Sequence, residues 1–177
     1  MPSKFLPALA ASLAVVLGAT SASASAPQPA GKVEASAMNG RWYEVARIPN
    51  AMQKGCLGGT SDWVRAADGY SVVQACRKGS LAGPRSEWKA KARVVDTRSN
   101  AKFKMSFFGG VLTQEYWVLD NRPDQGWLIL GTPGGNYLWL MSQRPSLGDE
   151  VKAQALSRIR QLGYDIGRLE FPAPARD

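Results

Sequence analysis

The sequence contains no histidine, only two cysteines and, after its first residues, no apolar run long enough to cross a bilayer. Each absence removes a class of function. Without histidine there is no Ser–His or Cys–His pair, so hydrolysis by that kind of activated nucleophile is excluded. A haem would lack the histidine that commonly serves as its axial ligand. A zinc site would find two cysteines and no imidazole to complete its tetrahedron. No cofactor and no metal is therefore expected. Acidic residues are also scarce, 14 against 22 Lys and Arg, which gives a formal net charge of +8 over 177 residues. In an exported protein such a balance points to anionic lipid surfaces or acidic ligands, not to nucleic acid.

Export is read from the first residues, "MPSKFLPALAASLAVVLGATSASASA". Lys4 precedes a short apolar run from Phe5 to about Gly18, followed by small residues in Ala-x-Ala spacing. This is the pattern of a secretory signal peptide, expected over residues 1–24. Cleavage after Ala24 is favoured over Ala26, because Pro27 is a poor residue to follow the cut. The run is too short to span a membrane comfortably. Gly18–Pro29 holds no cysteine for a lipid anchor, so the expected location is the periplasm, as a soluble protein or peripheral at the outer membrane. Cys56 and Cys76 lie in the exported part. In an oxidising compartment such a pair reads as one disulfide, closing a loop of about 20 residues and contributing ~3 kcal/mol. Two buried free thiols are the alternative.

Residues 25–37 are small and polar with two prolines and read as a flexible lead-in. One domain is expected over 38–172, with a tail at 173–177. Within it, short apolar runs are split by Gly, Pro, Asn and Asp every ten to fifteen residues or so, the rhythm of an antiparallel all-β fold. In Glu87–Val95, Trp88, Ala90, Ala92 and Val94 alternate with Lys89, Lys91 and Arg93. After the turn "DTRSN", Phe103, Met105 and Phe107 oppose Lys102, Lys104 and Ser106. Such period-2 patterning predicts a half-buried hairpin. Glu115–Leu119, Gly126–Gly131 and Asn136–Ser142 are apolar on both parities, which calls for an outer cover. "PSLGDEVKAQALSRIRQLG" supplies one: Val151, Ala155, Ile159 and Leu162 recur at helical spacing after a Ser146-x-x-Asp149 capping box, and Gly163 can end the helix. Eight strand candidates (about 41–48, 58–66, 70–77, 87–95, 101–108, 114–121, 125–132 and 135–143) predict an eight-stranded antiparallel up-and-down β-barrel with one C-terminal α-helix packed outside.

These residues resemble the lipocalins, and among them the bacterial outer-membrane and apolipoprotein D-like group. The resemblance is carried by "GRWYEVARIPN", "VVDTRSNAKFKMSFF", "YWVL", "GGNYLWLMSQRP" and "LGYD", in order along Asn39–Leu169. It implies that Trp42 plugs the closed end of the barrel while Gly40 lets the preceding turn pass close beneath. It also implies an arginine over that tryptophan, where this chain has Gln143, and an aspartate after the "YWVL" strand, where it has Arg122.

With Trp42 inward, alternation also turns Trp88, Val94, Met105 and Phe107 inward. Trp63, Val73, Tyr116, Val118, Trp127, Ile129, Tyr137, Trp139 and Met141 join them as candidate ligand-lining residues. The set is aromatic and aliphatic, which suits an acyl chain with its polar end towards the mouth. The resemblance thus implies binding, storage or transport of a fatty acid or lysophospholipid-like ligand in the bacterial envelope. Two alternatives stand beside it: a lipocalin-fold enzyme, for which Glu44 and Glu115 are the isolated acids, and a scaffold that binds other proteins. Finally, Lys89, Lys91, Arg93, Lys102 and Lys104 share the outward face of one hairpin whose tip is the apolar "FFGGVL", Phe107–Leu112. Three readings fit that face: docking to an anionic membrane, an ordinary solvated strand face, or a homodimer contact.

Overall fold

The computed structural model describes residues 27–175; the signal peptide expected over residues 1–24 lies outside them, as do residues 25, 26, 176 and 177. Eight strands form in chain order: β1 (Gly40–Arg47), β2 (Cys56–Ala66), β3 (Gly69–Lys78), β4 (Arg85–Val94), β5 (Lys102–Phe107), β6 (Leu112–Arg122), β7 (Trp127–Gly131) and β8 (Leu138–Ser142). Each pairs antiparallel with its neighbour, and β1 pairs with β8 to close the barrel. Closure leaves no sheet edge open, so every strand finds partners on both sides.

The alternating strands behave as their pattern demands. Ala90 lies opposite Val72 and Phe107, and Ala92 opposite Tyr70 and Met105, so small residues on β4 face large ones on β3 and β5. These side chains join Trp42, Trp63 and Phe103 in one buried cluster inside the barrel. The strands that are apolar on both parities have two buried faces. Leu128 and Leu130 point in, while Trp127 and Ile129 pack under the helix α1 (Asp149–Gln161), together with Ala155, Ile159 and Leu138. Asp120 accepts from Arg158 Nε at 2.5 Å and ties that helix to β6.

Three local expectations change. Helix α1 starts two residues later than a Ser146 cap requires: its N-cap is Gly148, with no side-chain cap, and Asp149 and Glu150 meet the helix N-terminus instead. Gly163 does end it, at φ +89°, with Tyr164 N–H donating to Ile159 O. The lead-in after Pro27 is pinned rather than free: Ala30 N–H donates to Val118 O, Val33 N–H to Ser99 O, and Val33 is buried in the barrel cluster. Gly40 has a φ of +105°, which only glycine adopts readily, but open space where a Cβ would stand. Its role is backbone conformation, not close approach.

Candidate functional site

One end of the barrel is sealed by its own side chains. The Trp42 indole N–H donates to Met38 O at 3.0 Å, and Met38 and Trp42 are both fully buried. Next to them Trp63, Tyr70 and Phe103 meet edge to face with ring centroids 5.6–6.0 Å apart. Gln143 does not take the place of an arginine over Trp42; it is exposed, its backbone N–H donating to Gly126 O. Arg122 is likewise exposed and approaches Asp120, the acid already held by Arg158.

The opposite end is built differently. Strand β1 carries an irregularity between Glu44 and Ala46, where its register against β8 shifts. Simple alternation from Trp42 turns Glu44 in and Arg47 out. The bulge brings Arg47 opposite Trp139 and puts both charges on the inner face. Glu44 is 7% exposed and Arg47 2%. Glu44 sits where Gly59 of β2 has no side chain; a Cβ there would collide with its carboxylate. Arg47 Nη1 donates to Glu44 Oε2 at 2.5 Å, Arg47 Nε to Glu170, and Arg47 Nη2 to Cys56 O at 2.7 Å. Burial pushes the Glu44 carboxyl above its ordinary range, with Arg47 opposing that rise.

The loop between β1 and β2 folds over this end. Asn50 caps a short 3-10 turn, Ala51–Gln53, by accepting from Gln53 N–H at 3.0 Å. Gln53 then reaches inward: its amide nitrogen donates to Glu44 Oε1, and its amide oxygen accepts from the Trp139 indole at 2.9 Å. Beneath it lies a cavity of about 30 Å³. Its walls combine Trp88, Tyr116, Leu130, Trp139 and Met141 with Glu44, Thr60, Ser61 and Gln74. Gln74 also bonds the Tyr116 hydroxyl, whose pKa burial pushes up to about 12. The disulfide Cys56–Cys76, with Cα atoms 5.5 Å apart, fixes the start of β2 to β3 beside this mouth.

The residues expected to line a pocket separate into five groups. Trp88, Tyr116, Trp139 and Met141 do line the cavity. Trp63, Val94, Met105, Phe107 and Val118 face inward but belong to the packed interior, with Val94 at its margin. Trp127 and Ile129 lie outside the barrel beneath the helix, because strand β7 presents Leu128 and Leu130 inward. Val73 is on the outer surface, in an open depression of about 490 Å³ shared with Lys89 and Lys91. Tyr137 stands 36% exposed at the rim, its ring 6.2 Å from that of Trp139. The candidate set left out the polar half of the lining. Glu44 and Gln74 share inward parity with Trp42 and Val72, so alternation alone places them; the turn that brings Gln53 over the mouth leaves no periodic signal.

Among the described residues, no group of three or more acidic or cysteine side chains is placed to hold a metal ion. Glu44 is committed to Arg47 and Gln53, and exposed Glu115 accepts from the Trp117 indole at 3.0 Å.

Comparison with known proteins agrees with this architecture. A family model described as "Lipocalin-like domain" matches residues 33–174. The chain is 27% identical over 168 residues to the outer membrane lipoprotein Blc of Escherichia coli K12, covering 93% of this chain and 94% of that one. It is 29% identical over 138 residues to temperature-induced lipocalin-1 of Arabidopsis thaliana, covering 73% of each. Among solved structures, insecticyanin from the tobacco hornworm Manduca sexta superposes with a TM-score of 0.66 at 18% identity, covering 81% of this chain and 82% of that one.

Proposed function

The chain belongs to the lipocalin-like family, whose members bind small hydrophobic ligands, and from that premise we propose that it binds an acyl-chain lipid in the bacterial cell envelope. A fatty acid or a lysophospholipid-like molecule is the ligand class, and storage or transport of lipid between membranes is the role. The observation that supports this reading is the mouth. Its aromatic and aliphatic wall, Trp88, Tyr116, Leu130, Trp139 and Met141, is covered by a single loop. Ligand pockets usually offer roughly 300–1,000 Å³, so the cavity under Gln53 holds a lipid only after the 48–55 loop lifts away. Each methylene then buried contributes about 0.8 kcal/mol. The protein acts by binding, exported to the periplasm or peripheral at the outer membrane. Native mass spectrometry of the exported protein, with extraction of what co-purifies, tests this. An acyl lipid at one per chain supports the reading; the absence of bound lipid, together with no binding of a fluorescent acyl probe at micromolar concentration, refutes it.

A second reading concerns delivery. Phe108, Val111 and Leu112 are exposed at the mouth end of the β5–β6 connection, next to the outward Lys89 and Lys91. This tip and the cations beside it form a surface for an anionic membrane. The stripe is less uniformly basic than the sequence implies. Arg93 meets Asp68 at 3.2 Å, Lys104 lies opposite Glu115, and Lys102 covers the Trp117 ring at 4.7 Å. Co-sedimentation with anionic vesicles at low salt, lost on Lys89→Glu and Lys91→Glu, is the expected result. Retention by the charge-reversed protein contradicts it, and self-association through the tip would instead persist at high salt.

A further inference from the structure

Resting on the acyl-lipid reading and narrowing its ligand class away from free fatty acids, we propose that the Gln53 side-chain amide is a built-in occupant of the ligand's polar subsite, and that the lipid displacing it carries a hydroxyl or primary amide there rather than a carboxylate.

The turn that holds Gln53 has no buried residue of its own. Ala51 and Met52 are exposed, so its docking depends on the Asn50 cap and on the contacts of the Gln53 amide. Those contacts are specific. An ionised carboxylate only accepts hydrogen bonds and an indole N–H only donates. The group between Glu44 and Trp139 must therefore present a donor on one side and an acceptor on the other, as the amide does. Asn50 Nδ2 adds a second donor to the Gln53 oxygen at 2.5 Å.

When the loop lifts, Glu44 Oε1 and the Trp139 N–H lose their partner in a buried site, which costs stability unless the ligand replaces it. A hydroxyl meets both needs with one atom, and a primary amide repeats the geometry of Gln53. A carboxylate meets Trp139 but places a second negative charge against Glu44. Among the described residues Glu44 is the one charged residue lining the cavity; Arg47 directs its donors to Glu44, Glu170 and Cys56 O, and Lys78 Nζ lies 5.9 Å from the centre of the Trp88 ring without joining the lining. Burial already disfavours the ionised form of Glu44, so a neighbouring anion adds to the same cost. An alkylammonium satisfies Glu44 and leaves the indole N–H unpaired.

Displacement of a fluorescent acyl probe by a matched twelve-carbon series tests this at pH 8. The series is dodecanol, dodecanamide, dodecanoate and dodecylammonium. Dodecanol and dodecanamide should compete about tenfold better than dodecanoate, the factor expected for one mispaired buried group. Gln53→Ala removes the internal competitor and should strengthen dodecanol binding several-fold. Glu44→Gln should shrink the gap between alcohol and carboxylate to about twofold or less. Dodecanoate competing as well as dodecanol in the wild type overturns the proposal. So does weaker or unchanged dodecanol binding by Gln53→Ala. If Glu44→Gln does not fold, these two measurements still decide. Failure of the probe itself to bind any form of the protein removes the acyl-lipid reading, an outcome distinct from a reversed ranking.

Discussion

The two ends of the barrel are made by the same eight strands and solve opposite problems. At the closed end Trp63, Tyr70 and Phe103 pack ring against ring beside the inward Trp42, and Val33 and Met38 of the preceding segment join the same cluster. At the mouth the inward positions carry Glu44, Arg47, Ser61 and Gln74, and the cover is one amide on a two-sided hydrogen bond. The first arrangement needs only apolar area and fit. The second places polar groups where each must be paired, and the pairing partner is a movable loop. On the proposed function, the mouth is the end that exchanges a side chain for a ligand, and the closed end is the one that does not open.

Substitutions can break this contrast at either end. Trp42→Ala should cost about 3–5 kcal/mol in urea unfolding, the usual loss for a buried tryptophan, and abolish binding only by unfolding the protein. Arg47→Met should cost a similar ~3–5 kcal/mol because it strands the buried Glu44 carboxylate. The double variant Glu44→Gln/Arg47→Met should recover much of that loss, and a double variant no more stable than Arg47→Met would show that Arg47 acts through packing instead. Replacing Cys56 and Cys76 together by serine should cost about 3 kcal/mol, with the mouth loosened before the closed end in hydrogen exchange.

A smaller effect follows from pH. The folded carboxyl of Glu44 titrates above its ordinary 4.5. Its stabilising contribution is therefore complete below that value and is lost as pH rises through the raised one. Thermal unfolding of wild type should show this fall above pH 4.5, and Glu44→Gln should flatten it. Smallest is Asp120→Ala, which frees Arg158 and should cost under about 1 kcal/mol, since that arginine is partly solvated.

How much of this was legible in the sequence divides along the same line. The closed end and the barrel follow from period-2 alternation, which is why Trp88, Met105 and Phe107 were placed inward on strands whose other face is lysine. On β7 alternation fails as a guide: Trp127–Leu128–Ile129–Leu130 is apolar on both parities, and only the helix decides which face is outside. Val73 misled for a related reason. It is a β-branched residue on an outer face, half-covered by the stems of neighbouring side chains. At the mouth, the β1 irregularity reverses the parity of Arg47, and Gln53 arrives from a loop. Neither a bulge nor a loop landing point has a periodic signature.

The division of labour between the two ends is tested most directly by photo-crosslinking. An acyl lipid with a diazirine in its chain is bound to the wild-type protein, irradiated and mapped by peptide mass spectrometry. Labels are expected at the mouth, on Met52, Trp88, Tyr116, Leu130, Trp139 or Met141, and none on Trp42, Trp63 or Phe103. Labelling of those closed-end residues, or confined to the outer depression beside Val73, Lys89 and Lys91, would contradict it.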